Sequence, residues 1–530
     1  MTNSIEDIRE AEAIFVIGSN TTEAHPIVAL AVKEAVFNGA DLIVADPRRI
    51  ELSEFASMWL RQKPGTDIAL INSLAHVILK EKLHDRDFIK KRTEGFEEYK
   101  KVLEKYSPEK VEKIVGIPAD DIRKAARMFA CRKKGVVIYA MGITQHVRGT
   151  DNVMALANFV MLTGNVGKPG TGLSPLRGQN NVQGACDMAA LPNVLPGYAG
   201  VNDSKKRKAF EKKWGCLLSS EAGLSVVKMM EAAEKGELKA MFIMGENPVL
   251  SDPNLKHVEK ALKNLDFLVV QDIFLSETAE FADVILPGAS FAEKDGTFTS
   301  TERRVQRIRK AVKPPGEARA DWEIIVDLAN RLAANWRYES PKQVMEEINE
   351  LVPAYGGITY ERLIRNGLQW ACFHPEHPGT RCLYEDEFAR GKGQFVPVEY
   401  LPPSEVQDEE YSFLLIIGRS LFQYHTGTMT RRSKGLNTLF PRGYVEINPQ
   451  DAEELSLKSG DEVVLESRRG KVKVSVELSE RVAPKTLFST FHFKEVPVNV
   501  LTSSELDEKS GIPELKGTPV KITKVTKRKS

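Results

Sequence analysis

Apolar positions along the chain follow two rhythms. Short uninterrupted runs, Ala13-Ile14-Phe15-Val16-Ile17, Leu42-Ile43-Val44-Ala45 and Gly135-Val136-Val137-Ile138-Tyr139-Ala140, read as strands buried on both faces. Between them the spacing turns helical over Pro26–Asn38 and over 68–82, 108–115 and 119–132. Such alternation predicts a parallel sheet with helices on both sides. A second cycle follows later: a strand at Ala240-Met241-Phe242-Ile243-Met244, a helix from Asn254 to Asn264, and a strand at Leu268-Val269-Val270 closing on Gln271-Asp272. A Gly/Asn-rich stretch, Thr163 to Gly184, lies between the cycles. From Pro314 the pattern shifts to a helix over 320–336 and an irregular region over 353–404, whose Pro402-Pro403-Ser404 reads as a linker. The last part is β-rich, with runs at Tyr444–Pro449, Glu462–Ser467 and Lys471–Val476 and turns at Gly460-Asp461 and Arg469-Gly470, and predicts a small barrel. Lys524–Ser530 reads as a basic frayed tail. The expected fold class is α/β, with two related nucleotide-binding βαβ lobes and a C-terminal β-barrel. The expected boundaries are 1–178, 179–290, a mixed segment with linker at 291–404, and 405–530.

Composition narrows the function classes. With 530 residues the chain holds several domains. Lys+Arg is 74 against Asp+Glu 73, a balance that disfavours a surface for nucleic acid or an anionic membrane. The longest apolar runs, Leu414–Ile417 and Phe267–Val270, are far short of a membrane span. The polar, acidic start is unlike a secretory signal, so a cytoplasmic location is expected without membrane insertion. Five scattered cysteines include no C-x-x-C pair, which rules out a disulfide framework and a Cys-built zinc or iron–sulfur site within this chain. His374 and His377 with Cys372 and Cys382 match no zinc spacing and read as an irregular surface loop. No metal ligand is assigned.

The two cycles carry matching chemistry. The first has Gly18-Ser19-Asn20 after its strand and Asp46 at the end of the next, 28 residues on. The second has Gly245-Glu246-Asn247 and then Asp272, 27 residues on. Glycine lets a backbone approach a phosphate or base, the following helix N-terminus offers N–H groups to an anion, and the acid can accept from ribose hydroxyls or a guanine edge. One copy is ordinary α/β turn chemistry; two with near-identical spacing point to two nucleotide-like groups. Neither copy is G-x-G-x-x-G and no P-loop occurs, so a plain NAD domain and a P-loop ATPase are disfavoured.

The stretch Arg177-Gly178-Gln179-Asn180-Asn181-Val182-Gln183-Gly184-Ala185-Cys186-Asp187-Met188 resembles the signature of the catalytic alpha subunit of molybdenum- or tungsten-dependent formate dehydrogenases, in the molybdopterin oxidoreductase superfamily. The resemblance continues through Met161–Lys168, Gly245–Pro248, Ala282–Pro287, Tyr424–Thr430 and Asn448–Ala452, nearly the whole chain. It implies a pair of molybdopterin guanine dinucleotides with Mo or W as cofactor. By that resemblance Gly18, Ser19, Asn20 and Glu23 hold one cofactor's phosphates. Asp46, Pro47 and Arg48 clamp its guanosine, with Gly65 and Asp67 alongside. Met141, Gly142 and Gln145 lie near the pterins, Gly178 and Gln179 also bind cofactor, and Met244, Gly245, Glu246, Asn247, Gln271 and Asp272 bind the second guanosine. Arg419, His425, Thr426, Gly427, Asn499 and Lys516 of the barrel close over the cofactors. Arg177 is the implied catalytic residue, its guanidinium fork suiting a small planar carboxylate, formate. His25 and His146 read as structural histidines, Cys186 as a packing residue, and Asp187, Glu293 and Asp295 carry no assignable acid/base role.

Members of the family begin with a cysteine-rich [4Fe–4S] segment and a selenocysteine or cysteine ligand to the metal. Neither is in this sequence, so the cluster is expected only on an upstream segment or a partner subunit that takes the electrons. Either that part is a separate polypeptide, or the reading frame starts at an internal Met downstream of a selenocysteine codon misread as a stop. The closeness of Met1 to the expected ligand favours the second. Two other readings stay open: another molybdopterin oxidoreductase, of nitrate reductase or formylmethanofuran dehydrogenase type, and a non-catalytic partner that holds or matures molybdopterin.

Overall fold

The apolar run Ala13–Ile17 (β1) is buried at every position, which requires layers on both faces. In the computed structural model, which describes residues 1–525, β1 pairs in parallel with Asp41–Ala45 (β2), which pairs with Met58–Leu60 (β3). On its other side β1 pairs with Gly135–Tyr139 (β4), followed by Gly172–Pro175 (β5). Side chains alternate between two cores. Phe15, Ile17, Ile43 and Val137 face a layer that includes the helices Asp67–Lys80, Ala119–Ala130 and Gly149–Leu162. Ile14, Val16, Leu42 and Val44 face Val28, Ala31, Val32 and Ala35 of Pro26–Phe37. Helices expected at 68–82, 108–115 and 119–132 are observed at Asp67–Lys80, Pro108–Val115 and Ala119–Ala130. The helix Gly149–Leu162 was not anticipated: it is buried nearly all round, so its sequence shows no apolar stripe.

The chain forms two compact units. One comprises Met1–Gly178, Pro253–Leu255 and the chain from Cys382 on; the other comprises Gln179–Asp252 and Lys256–Arg381. The second unit holds a smaller parallel sheet in which Phe267–Asp272 (β7) lies between Ala240–Met244 (β6) and Val284–Pro287 (β8). The hairpin Gly296–Thr299 (β9) and Arg304–Ile308 (β10), with Leu368–Gln369 (β11), makes its other sheet. The stretch 291–404, expected as a mixed segment with linker, passes from the second unit to the first at Cys382. Cys372 and Cys382 do not lie at the surface as their loop led us to expect; both are buried, behaving as small apolar groups.

The C-terminal strands close into a six-stranded barrel. Phe413–Gly418 (β12), Tyr444–Ile447 (β13), Glu462–Glu466 (β14), Lys471–Leu478 (β15), Thr486–Thr490 (β16) and Thr518–Lys524 (β17) pair in the order β12-β16-β13-β15-β14-β17. Its interior takes Leu415, Val445, Ile447, Val463, Leu465, Val474, Val476, Leu487 and Val520, the inward positions of alternating strands. Lys524, read as the start of a tail, ends β17; the rest of the tail, 526–530, lies outside the described residues. Among the described residues no helix is long and apolar enough to cross a membrane.

Candidate cofactor and substrate site

The duplicated sequence pattern is a duplicated backbone. Gly18 and Gly245 both take positive φ, 56° and 63°. Each donates its N–H to the end of the next strand, Gly18 to the Ala45 carbonyl at 3.1 Å and Gly245 to the Gln271 carbonyl at 2.8 Å. Two residues on, Asn20 and Asn247 open the one-turn helices Thr21–Ala24 and Pro248–Ser251, each followed by a longer helix, Pro26–Phe37 and Leu255–Lys263. The surroundings differ. A Cβ on Gly18 would meet the Gly142 carbonyl carbon at 2.8 Å, and Gly142 donates its N–H to the Gly18 carbonyl at 3.0 Å. At Gly245 a Cβ would meet nothing within 4 Å, and Met244 and Glu246 beside it are exposed. The Asn247 amide holds its own loop, donating to Glu277 at 2.9 Å and accepting from the Thr278 hydroxyl at 2.8 Å.

In the first unit the candidate residues gather at the carboxyl ends of adjacent parallel strands, where open α/β sheets bind ligands. Gly18 to Asn20 follow β1, Asp46 to Arg48 follow β2, Met141 to Gln145 follow β4, and Arg177 follows β5. Burial pushes the Asp46 carboxyl up to about 6, against the Arg48 N–H bonded to it at 2.9 Å. The Arg48 guanidinium faces away from this role: it forks onto Glu446 of β13 at 2.9 and 2.5 Å and stacks 3.9 Å over the Phe488 ring. Glu23 likewise pairs with Arg481 at 2.8 Å. Asp46 is therefore the side chain of that expected clamp with ligand chemistry to spare, and Arg48 and Glu23 are clasps to the barrel. Gly65 takes positive φ against Pro403.

Beneath Met141–Gln145 lies a buried charged cluster. Nδ1 of His146 is 3.0 Å from Glu514, and its Nε2 faces the Gly142 carbonyl at 3.0 Å and Asp67 at 4.0 Å. Burial alone lowers the imidazole's pKa, but the Glu514 and Asp67 carboxylates outweigh it and the net shift is upward. Glu514 is driven down by the same pairing, despite burial. Asp67 is raised by burial and accepts from Gln62 at 3.2 Å. Lys516 donates to the Ile417 carbonyl, and burial lowers its ammonium to about 8. Leu515 donates its N–H to the Gln145 carbonyl at 3.1 Å, tying the Gln145 loop to the barrel's last loop.

Arg177 leaves a backbone held on two successive carbonyls. Nε2 of His25 donates to the Arg177 carbonyl at 2.5 Å, and Nη1 of Arg419 donates to the Gly178 carbonyl at 2.6 Å. His25 thus holds this loop rather than its own helix: it begins Pro26–Phe37 without a side-chain cap bond, and burial lowers its pKa. Ser420 donates its N–H to Nε2 of His492 at 3.0 Å, so Nδ1 of His492 carries the proton and donates to the His425 carbonyl. Burial brings His492 to about 4, keeping it neutral. His425 and Gly427 both take positive φ, and the Thr426 hydroxyl meets that of Thr428 at 3.0 Å. The Asn499 carbonyl accepts from the Asn254 N–H at 3.3 Å. Sequence reasoning missed Glu446, Phe488, His492 and Glu514, whose partners are distant in the chain.

The signature continues into the second unit, where half-buried Gln179 opens it. Asp187 has a structural role: its carboxylate accepts from Gln183 at 2.7 Å, Tyr198 at 2.9 Å, Tyr355 at 2.6 Å and the Trp370 indole at 2.7 Å. Asp272 accepts from the Ile273 N–H at 2.7 Å. Cys186 is half-buried, and among the described residues no three His, Cys, Asp or Glu side chains are grouped to hold a metal ion.

Buried polar atoms test whether a large polar ligand fits here. In the first unit Nε of Arg419, Oγ of Ser420, Oγ1 of Thr490 and Nδ1 of His25 are buried without a protein partner. In the second, Oε1 of Gln271 is in the same state while its Nε2 donates to Asp321 at 2.7 Å. Leaving such atoms unsatisfied costs about 1–3 kcal/mol each, and a pterin nucleotide offers partners of both kinds. The residues fit.

Twin Gly/Asn loops at strand ends with a closed barrel define a protein of the dinucleotide-binding α/β class. The chain belongs to the molybdopterin oxidoreductase family: that family's model matches residues 1–331, and the Molydopterin dinucleotide binding domain matches 413–519. It is 50% identical over 529 residues to the F420-dependent formate dehydrogenase subunit alpha of Methanocaldococcus jannaschii, covering 99% of this chain and 78% of that one. Formate dehydrogenase H of Escherichia coli is 38% identical, over 100% of this chain and 75% of the relative. Among solved structures, acetylene hydratase from Pelobacter acetylenicus shares the fold, with a TM-score of 0.77 at 21% identity over 99% of this chain and 79% of that one.

Proposed function

We propose that this chain is the major part of a formate dehydrogenase catalytic subunit, oxidising formate to CO2. The observation that supports it most is the convergence of Gly18, Asp46, Met141–Gln145 and Arg177 on the carboxyl ends of neighbouring parallel strands. A bound pair of molybdopterin guanine dinucleotides with Mo or W supplies the two-electron chemistry. The chain's own residues bind and orient. Arg177 grips the formate carboxylate through its fork, a charge-assisted contact worth about 1.5–3 kcal/mol. His25 and Arg419 fix the backbone from which that fork projects, so the substrate's C–H is presented in one direction. Asp46 and Asp272 accept from the two nucleotides, and the loops of Gly18 and Gly245 admit their phosphates. Lys516, charged below about pH 8, neutralises ligand anions beside Asp46. Electrons pass to an iron–sulfur-bearing partner, and the reaction is cytoplasmic.

Formate-dependent dye reduction, measured with bound pterin on the same sample, tests this. Wild type reduces dye; Arg177→Ala retains the pterin while its turnover with formate falls roughly 10- to 100-fold. Loss of pterin and turnover together would make Arg177 a structural residue and defeat the assignment.

A further inference from the structure

The parallel strands β12 and β16 pair as far as Gly418 opposite Thr490. Two residues further along each chain come Ser420 and His492, where the chain has left the sheet and the buried Ser420 N–H needs another acceptor. The His492 side chain supplies it: Nε2 accepts from that N–H at 3.0 Å, in place of a ladder carbonyl. Nδ1–H of the same ring donates to the His425 carbonyl. One imidazole thus ties both ends of the stretch 420–425, and the two bonds demand a neutral ring with its proton on Nδ1. Burial first, and then the positive charge of Arg419 and His425, keeps a second proton off Nε2.

The chain returns to residue 492 once more. Gly427 takes φ 74°, and a Cβ there would meet the His492 carbonyl at 2.9 Å. His425 is held in the left-handed region at φ 49°, which a non-glycine residue keeps only where its surroundings impose it. The ring that imposes it is fully buried beside Phe491 and Phe493, with centroids 5.0 and 6.3 Å away.

Arg419 stands one residue before Ser420, and its Nη1 donates to the Gly178 carbonyl at 2.6 Å, next to Arg177. Both nitrogens of His492 are occupied by backbone, so the ring acts through this loop rather than on a ligand. We propose that His492 is a positioning residue: it sets the 419–427 loop so that Arg419 holds Gly178, and through that backbone it fixes the direction of the Arg177 fork. In taking formate as what the fork orients, the inference rests on the function proposed above.

Dye reduction with formate, expressed per bound pterin, tests the link on the cofactor-loaded enzyme. His492→Phe keeps a ring and loses both bonds, and kcat/KM for formate should fall at least tenfold. On the Arg177→Ala background the same substitution should change it less than twofold, because no fork is left to position. His492→Gln restores an acceptor for the Ser420 N–H and should lie between wild type and His492→Phe. A wild-type rate in His492→Phe overturns the proposal. So does a tenfold loss repeated in full on the Arg177→Ala background, which would make His492 a residue of the fold alone. Amide exchange on the same samples separates these results from a failure of the formate reading. Wild type that reduces no dye with formate defeats that reading, yet His492→Phe should still speed exchange at 176–178 as well as at 419–427. Acceleration confined to 419–427 overturns the link to Arg177.

Discussion

Two residues carry the sharpest consequences. Arg177→Ala should lower kcat/KM for formate roughly 10- to 100-fold, the loss of one charge-assisted contact, and Arg177→Lys should lie between, because an ammonium keeps the charge but not the fork. Steady-state dye reduction over a range of formate concentrations reads both. His146 makes a prediction in pH. Its folded pKa is raised above 6.5 and that of Glu514 is depressed below 4.5. The imidazolium's contribution is therefore complete below 6.5 and lost as pH rises through the raised value; the carboxylate's is complete above 4.5 and lost as pH falls through the depressed one. His146→Gln should cost about 3 kcal/mol in denaturant unfolding near pH 6, and less as the pH is raised. A cost that does not change with pH would show the imidazole to be neutral. Arg177 was singled out in the sequence only because its neighbours form a signature; the His146 cluster was not, because Asp67 and Glu514 approach it from far along the chain.

At the scale of elements, the twin glycine turns predict unequal tolerance. Gly18→Ala combines left-handed backbone with a clash against Gly142, so it should displace the loop and lower bound pterin. Gly245→Ala meets open space and should cost only about 1 kcal/mol of backbone strain. Thermal unfolding of the two variants, with pterin fluorescence, separates them. The clasp from β2 to the barrel is a second test: Arg48→Ala leaves Glu446 buried without its partner and should cost about 3–5 kcal/mol, whereas Arg48→Ala with Glu446→Leu should recover part of it. Strands such as β1 and β2 were readable from apolar runs, and the barrel from alternation. The helix Gly149–Leu162 was not, because burial on every side erases periodicity. The clasp was not, because Arg48 and Glu446 are 398 residues apart.

At the scale of the whole molecule, one signature appears once in each compact unit, at Gly18 in the first and Gly245 in the second. That duplication is visible in the spacing of Gly, Asn and Asp along the sequence. The division of residues 291–404 between units was not, since the irregular chain there gives no periodic signal where Cys382 crosses over. The central claim is that each copy takes one guanine nucleotide. Acid hydrolysis of the purified protein, loaded with cofactor and quantified for released GMP per polypeptide, measures it directly. Two GMP per chain is the expected count; one or none would contradict the account.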